Sequence, residues 1–430
     1  MDAKRIIMNF TVPPSHDDLE VMAAAIIENI PEELAEHCES LAVVIDEFPD
    51  EALEHELELD DQFELMAFYK SGREISPGVE LKSANDDDVL TLYRRPILDY
   101  WCESCEDITV VLRAVIVEEL ARGCTTTAAF LTIHNMATAM IGKYCQQSVV
   151  DRWCPSLVAG DMLASYCLTE PGAGSDAASL RTTATREGDS YRLNGSKVFI
   201  SGAGDTDVLV VMARTGDSGA RGITAFLVPA DLEGITYGKK ESKMGWNAQP
   251  TRQISFDDVC VPVANRLGEE GQGFSIAMEG LDGGRINIAT CSVGTAQQAI
   301  VDATAYVKDR QQFNSAISEF QHTQFQIADM LTELVASRQM IRLAASKLDN
   351  GDSNASTYCA MAKRFATDAG FKVCNDALQL FGGYGYIREY PMERYVRDTR
   401  VHQILEGTNE IMRVIISRQA LMDGALEVIQ

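Results

Sequence analysis

YCLTEPGAGSD, residues 166–176, holds residue types that suggest chemistry. An apolar run leads into Pro-Gly-Ala-Gly-Ser, so several backbone N–H groups and the hydroxyls of Thr169 and Ser175 gather on a tight turn. Glycines let backbone donors approach a partner closely, which suits an anionic or flat hydrogen-bonding ligand. The same residues could do no more than turn the chain. Their Gly-Ala-Gly spacing is not the dinucleotide fingerprint, because no strand–helix–strand unit follows. In WCESCED, Cys102 and Cys105 have the spacing of half a redox or zinc motif. No second pair completes it and acids flank it, so it reads as a surface turn.

The elements that must position these residues follow from pattern. Residues 16–40 read as one amphipathic helix, with Leu19, Met22, Ala23, Ile26, Ile27 and Ile30 at helical spacing. LAVVIDEF (41–48) predicts a strand, the acid-rich 50–64 a loop or short helix, DVLTLY another strand, and 108–123 a helix. Residues 124–165 are helical and rich in alanine. From Tyr166 to about 272, short apolar runs broken by Asn-Gly, Gly-Asp and Ser-Gly predict an antiparallel β domain. Periodic segments at 285–311, 321–349, 354–381 and 404–422 then predict a four-helix bundle. The whole is a multidomain α+β chain.

Charge is uneven along the 430 residues. Residues 1–120 hold 30 Asp and Glu against 8 Lys and Arg, whereas the rest holds 34 against 29. So acidic a field repels nucleic acid and anionic membrane, and neither is expected as a partner. No apolar run is long enough to span a bilayer. The start has neither the look of a secretory signal nor that of a transit peptide, so the reading is cytoplasmic. The eleven cysteines are scattered in apolar or helical context and read as reduced core residues.

YCLTEPGAGSD, NGSKVFISGAG, FDDVCVP, GRINIA, DALQLFGGYGY and YVRDTRVHQILEGTNEIMR together resemble the acyl-CoA dehydrogenase flavoproteins, in order and spacing, from about Glu119 to Arg418. GWNAQPTR, GGRINIA and RVHQILEGTNEIMRVIISR look closest to that family's isobutyryl-CoA branch, which acts in valine breakdown. The resemblance implies removal of an α proton and a β hydride from a short branched acyl-CoA, with FAD as hydride acceptor and electron-transfer flavoprotein as the next electron carrier. It also implies a homotetramer. The base it implies is Glu406 in ILEGTNE, where Gly407 and Thr408 can expose backbone and let the carboxylate enter a cleft. Another branch keeps its base immediately before the arginine matching Arg285. That position here is Gly284, which cannot titrate.

By the same resemblance, Tyr166, Leu168, Thr169, Gly174 and Ser175 line the flavin and its phosphates, Thr169 at the pyrimidine edge. Phe199, Ile200 and Ser201 lie against the ring. Most relatives outside the branch have Trp at 199, so stacking is expected to be weaker. Arg310, Phe320, Gln321 and the run Gln379, Leu380, Phe381, Gly382 and Gly383 hold pyrophosphate and adenosine across a subunit boundary. Thr408, Asn409 and Glu410 complete the cofactor site. Ser175, Asp282, Gly283, Gly284, Arg285 and Arg418 match thioester and CoA contacts. Ala128, Phe130, Leu131 and Thr132 match the far wall of the acyl pocket, where Phe130 among small residues fits a short branched acyl group. The same helix could be ordinary core. After Arg310, RQQFNSAI has Asn314 where the family has Gly, and Asn tolerates the left-handed backbone expected there.

Residues 1–118 resemble something else. FTVPPSHDDLEVM, IPEELAEHCESLAVVIDEFP and LTLYRRPILDYWCE followed by a helix look like the bacterial zincin-like metallopeptidases, whose defining helix carries His-Glu-x-x-His. In register those positions are Glu118, Glu119 and Arg122, and arginine cannot ligate zinc. His55 and Glu56 have Leu59, not His, in the third position, so no metal site is expected. The chain thus reads as a fusion near residues 117–123: a degenerate zincin-like segment (1–118), a remnant of the dehydrogenase helical domain (119–165), the β domain (166–272) and the bundle (273–430). The family's first helices are absent. Without them the acyl pocket and one flavin face are expected to open to water, and nothing in the acidic segment marks it as their substitute. The alternative to an active enzyme is therefore an impaired chimera or non-catalytic binding module.

Overall fold

The computed structural model describes residues 14–27, 42–57, 59, 61–70, 89–104, 108–217 and 219–423. The first helix, α1 (His16–Ile27), starts at a reciprocal cap. Ser15 Oγ accepts from the Asp18 N–H at 3.2 Å, and Asp18 Oδ2 accepts from the Ser15 N–H at 2.8 Å. The expected continuation to residue 40 lies outside the described residues, as do Cys105 and the side chain of Cys102.

Three strands follow: β1 (Ala42–Asp46), β2 (Ala67–Lys70) and β3 (Val89–Tyr93), with α2 (Glu51–Glu56) between the first two. Their order is β1-β3-β2, with β1 parallel and β2 antiparallel to β3. After α3 (Arg94–Ser104) comes α4 (Ile108–Gly123), one helix that crosses the fusion region without a break. α5 (Thr125–Tyr144) and α6 (Gln147–Val158) complete this flank.

The acidic segment does not stand apart. Leu19, Met22, Leu90, Leu92 and Ile97 share one core with Ile116, Val117 and Leu120 of α4 and with Phe130 and Leu131 of α5. That core continues to Trp246, Ile288 and the partly buried Leu405, directly before Glu406. Contrary to the sequence expectation, the segment therefore covers a flank of the dehydrogenase-like part. Its leucines bury apolar area there, each contributing roughly 1.5–3 kcal/mol.

The β domain comprises β4 (Ala164–Cys167), β5 (Thr183–Glu187), β6 (Ser190–Ser201), β7 (Val208–Arg214), β8 (Ile223–Pro229), β9 (Ile235–Tyr237), β10 (Thr251–Pro262) and β11 (Arg266–Leu267). The order is β11-β8-β7-β5-β6-β10-β9, with β4 paired to β7. Most pairs are antiparallel as expected, but β4 and β5 both meet β7 in parallel. β7 and β8 are buried almost throughout, so they read as continuous apolar runs rather than alternating ones.

The bundle begins earlier than its periodicity suggests. α7 runs from Gly273 to Asp309, and two of the glycines that interrupt its apolar pattern are points of close approach, Gly280 against Met140 and Gly284 against Glu406. α7 leads into the hairpin β12 (Gln311–Gln312) and β13 (Ser315–Ala316). Phe313 and Asn314 turn it at φ 55° and 65°, so Asn314 does take the left-handed backbone. α8 (Gln321–Asp349), α9 (Ala355–Phe381), the short unforeseen α10 (Met392–Arg400) and α11 (Asn409–Asp423) follow. The fourth periodic segment is thus a turn over 404–408 and then a helix.

Candidate active site

At the end of β4 the chain leaves the sheet through Leu168 and Thr169 and closes on itself. Glu170 and Ala173 exchange backbone hydrogen bonds at 3.1 Å around Pro171-Gly172. The Glu170 carboxylate turns inward and accepts from the N–H groups of Arg181 at 2.6 Å and Thr182 at 2.9 Å. It also pairs with Lys197 at 2.8 Å, and Lys197, with 0% of its surface exposed, donates to the Leu168 carbonyl at 2.9 Å. This buried pair pins the turn. Opposing Lys197 and the neighbouring hydrogen bonds outweigh the cost of burial and hold the Glu170 carboxyl below its usual range. At Gly172 and Gly174 a Cβ would meet nothing within 4 Å, so the backbone lies open on one side. Gly174 and Ser175 are exposed.

The facing wall comes from β6. Arg252 of β10 pairs with Ile200, but Ile254 pairs with Lys197, so β6 carries one extra residue there. The bulge drives Phe199 to φ 58° and leaves its side chain 69% exposed. A bulky residue in the left-handed region is strained, and such strain concentrates at ligand sites. Ile200 instead turns into the core of the β domain, so only its backbone faces this wall. Ser201 Oγ accepts from Gln249 Nε2 at 3.3 Å, while the enclosed Gln249 Oε1 has no partner. Beneath lies Phe130: a Cβ on Gly202 (φ 78°) would fall 2.9 Å from its ring. α5 and the Ser201 turn are therefore in direct contact.

Glu406 arrives from the opposite side. The turn after α10 contains His402, fully buried and held neutral by burial, which pushes it down to about 3. Its Nδ1 bonds Ser292 Oγ at 2.6 Å and its Nε2 accepts from Trp246 Nε1 at 3.3 Å. Glu406 itself has φ 56° and Gly407 φ 86°. Its Oε2 is enclosed and without a hydrogen-bond partner, as are Arg285 Nε and the Tyr166 hydroxyl. Desolvation pushes the Glu406 carboxyl up to about 7 against the pull of Arg285 and Lys363. Desolvation, then the Glu406 charge, raises the Tyr166 phenol well above its ordinary value. Asp282 fixes Arg285 at 2.5 Å and accepts from the Ser356 hydroxyl. A Cβ on Gly284 would lie 2.5 Å from Glu406 Oε2, so the two family positions for a base converge on one volume. An enclosed carboxylate near neutrality beside a fixed guanidinium can take a proton from a carbon acidified by a polarised carbonyl.

The other expected residues divide. Arg310 lies 5.6 Å over the Tyr384 ring, and Phe381 is buried and stacked on Tyr306 at 4.1 Å. Gln379, Gly382, Gly383, Phe320 and Gln321 are exposed around them, and Leu380 is partly buried. Among the described residues no hydrogen bond, ion pair or ring contact joins this cluster to Glu406 or the 168–175 turn. Arg418 and Glu410 are exposed on α11, and Thr408 Oγ1 caps it by accepting from the Ile411 N–H at 3.3 Å. Asn409 turns inward, its side chain taken up by Lys363, Thr367 and Asp368. Lys197, Glu170, Trp246, His402 and Lys363 were not anticipated. The one available signal was Lys197, at an inward position of a strand that otherwise alternates.

Family models match in the same order as these elements: the acyl-CoA dehydrogenase middle domain over residues 165–259, its C-terminal domain over 271–421 and its N-terminal domain over 104–161. Isobutyryl-CoA dehydrogenase of Bos taurus is 54% identical over 310 residues, 72% of this chain and 74% of the relative. That of Dictyostelium discoideum is 56% identical over 311 residues, 72% and 75% of the two chains. The chain belongs to the acyl-CoA dehydrogenase family. Members are oxidoreductases that act on the CH–CH bond of an acyl-CoA. The structure of butyryl-CoA dehydrogenase from Megasphaera elsdenii matches with a TM-score of 0.73 at 34% identity, covering 96% of this chain and all of that one.

A zincin-like metallopeptidase model matches residues 38–125 of this dehydrogenase, overlapping the N-terminal dehydrogenase domain over 104–125. The overlap falls on α4, which carries Glu118, Glu119 and Arg122. Glu118 there accepts from Arg338 Nε at 3.0 Å, and Glu119 pairs with Arg122 at 2.6 Å. Arg122 also donates to Gln298 at 3.3 Å. Glu118, at the end of the acidic segment, thus joins α8 of the bundle, and Arg122, one turn on, joins α7. Among the described residues no group of three His, Cys, Asp or Glu side chains could hold a metal ion, and no helix is long and apolar enough to cross a membrane.

Proposed function

We propose that the chain is an FAD-dependent dehydrogenase of a short branched acyl-CoA, converting isobutyryl-CoA to methacrylyl-CoA in valine breakdown, with Glu406 as the base for the α proton. The observation that carries this is the Glu406 carboxyl, its Oε2 enclosed and unpartnered, raised to about 7 beside Arg285. The open backbone at Gly172 and Gly174, the exposed Phe199 and the unpartnered Gln249 Oε1 fit a flat, hydrogen-bonding group such as FAD. Tyr166 through Ser175, Phe199, Ser201 and Thr408 would hold it within one subunit. Arg310, Phe320, Gln321 and Gln379–Gly383 would do so from a neighbour. When bound, FAD supplies the hydride acceptor.

The remaining work falls to the chain. Asp282 and Arg285 orient the thioester, and Glu406 receives the α proton on its enclosed oxygen. Phe130 and Leu131 restrict the acyl pocket. Electrons then leave to electron-transfer flavoprotein. Phe313, Phe325 and Val335, exposed by 90%, 58% and 52%, suit burial between subunits of a homotetramer. Free cysteines, several of them buried, suit a reducing compartment such as the cytoplasm.

The test is flavin content, then anaerobic bleaching by isobutyryl-CoA, 2-methylbutyryl-CoA and butyryl-CoA. Isobutyryl-CoA should bleach fastest, by roughly 10-fold or more, since one methylene in a fitted pocket is worth about 1–3 kcal/mol. A flavin that no short acyl-CoA bleaches would favour the non-catalytic chimera.

A further inference from the structure

Lys363 lies in the middle of α9 with 0% of its surface exposed. An ammonium taken from water must find acceptors. It finds the Gly407 carbonyl and Asn409 Oδ1, each at 2.8 Å. Asn409 Nδ2 in turn donates to Thr367 Oγ1 at 3.0 Å and Asp368 Oδ1 at 2.7 Å, so α9 grips the chain on both sides of Thr408. The gripped segment is the one in which Glu406 and Gly407 take φ 56° and 86° in succession. Consecutive left-handed residues, one bearing a side chain, persist only where their surroundings hold them.

We propose that Lys363 is the positioning residue of the base: through Gly407 and Asn409 it holds the turn that aims Glu406, and its ammonium stands as a counter-charge to the carboxylate. The inference rests on Glu406 being that base. The groups facing Lys363 are Glu406, Asp368 and Glu410, which favour its charge, and Arg285, which opposes it. His402, neutral, faces it from the turn after α10. Glu406 is faced by Arg285, Lys363 and the Tyr166 phenol. Burial draws Lys363 down to about 7, and the Glu406 charge resists that fall. Removing the ammonium leaves Glu406 with Arg285 alone to favour its ionised form.

The experiment follows the Glu406 carboxylate by infrared difference between wild type and Glu406→Gln across pH, in wild type and in Lys363→Met. The same proteins are assayed for turnover of isobutyryl-CoA. Lys363→Met should move the Glu406 midpoint up by about one unit or more, the effect of losing a neighbouring opposite charge. It should lower kcat about tenfold or more at pH 7 while changing KM little, since the ground-state contacts remain. Lys363→Gln, which keeps a donor without the charge, should hold the fold and show the same upward shift. Either variant titrating and turning over as wild type would overturn the proposal. So would loss of the fold in both, which would make Lys363 a core residue only. If Glu406→Gln itself turns over normally, the base assignment fails instead.

Discussion

Replacing Gly284 with alanine puts a methyl group where Glu406 keeps its carboxylate. The added Cβ would stand 2.5 Å from Oε2 and 3.0 Å from Cδ, so it is the Glu406 carboxylate that must give. Restoring ordinary contact requires Oε2 to retreat by about 1 Å, and a misplacement of that size in a reacting group costs on the order of 10²-fold in rate. Stability should move the other way or hardly at all. Gly284 lies inside α7, where alanine is favoured over glycine by roughly 0.5–1 kcal/mol, and a flexible side chain yields at low cost. Single-turnover flavin bleaching by isobutyryl-CoA, with a thermal melt of the same protein, separates the two effects. The expected pair is a rate down about 100-fold with a melting temperature unchanged or raised. Bleaching by Gly284→Ala at the wild-type rate would refute the convergence of the two positions.

Three further outcomes follow from the same geometry. The Glu406 carboxyl is raised from 4.5 to about 7, so the stability linked to its neutral form is full below about pH 4.5 and is lost as pH rises through 7. Glu406→Gln should therefore gain on wild type by up to about 3 kcal/mol between pH 5 and 8 in denaturant titrations, while the wild-type bleaching rate rises over the same window. Glu119, also raised to about 7, is common to both proteins and cancels. Lys197→Met should cost about 3–5 kcal/mol and release flavin, because it strands the Glu170 charge under the 168–175 turn. Adding Glu170→Gln should recover part of the loss in the same melts. A double-mutant cycle on Glu118 and Arg338, whose side chains are 15% and 22% exposed, should give a coupling above about 1 kcal/mol. A value near zero would mean that the acidic segment is not tied to the bundle through this pair.

The β domain was legible because strands such as SYRLNGSKVFIS carry their own alternation and turn residues. The first turns of α7 were not, since GLDGGR trades apolar side chains for close approach by Met140 and Glu406, which lie far away in sequence. β2 is four residues long and shows itself only in its pairing with β3. In the site, Glu406 and the 166–176 turn stand out through their glycines and through resemblance. Lys197, Lys363 and His402 do not, because a buried polar residue is meaningful only with its partners, and those lie 27 to 156 positions away. The role of the acidic segment was hidden for the same reason. Its apolar residues look like the core of a separate unit until α4 carries them onto Trp246 and Ile288.

The step on which the proposed chemistry depends is transfer of the α proton to the Glu406 carboxylate. Its most direct test is single-turnover anaerobic bleaching by isobutyryl-CoA in wild type and in Glu406→Gln, both shown to hold stoichiometric flavin and to bind the thioester. Wild type should bleach and the variant should be slowed by about 10³-fold or more, the scale of a lost general base. A Glu406→Gln protein that bleaches at the wild-type rate would contradict it.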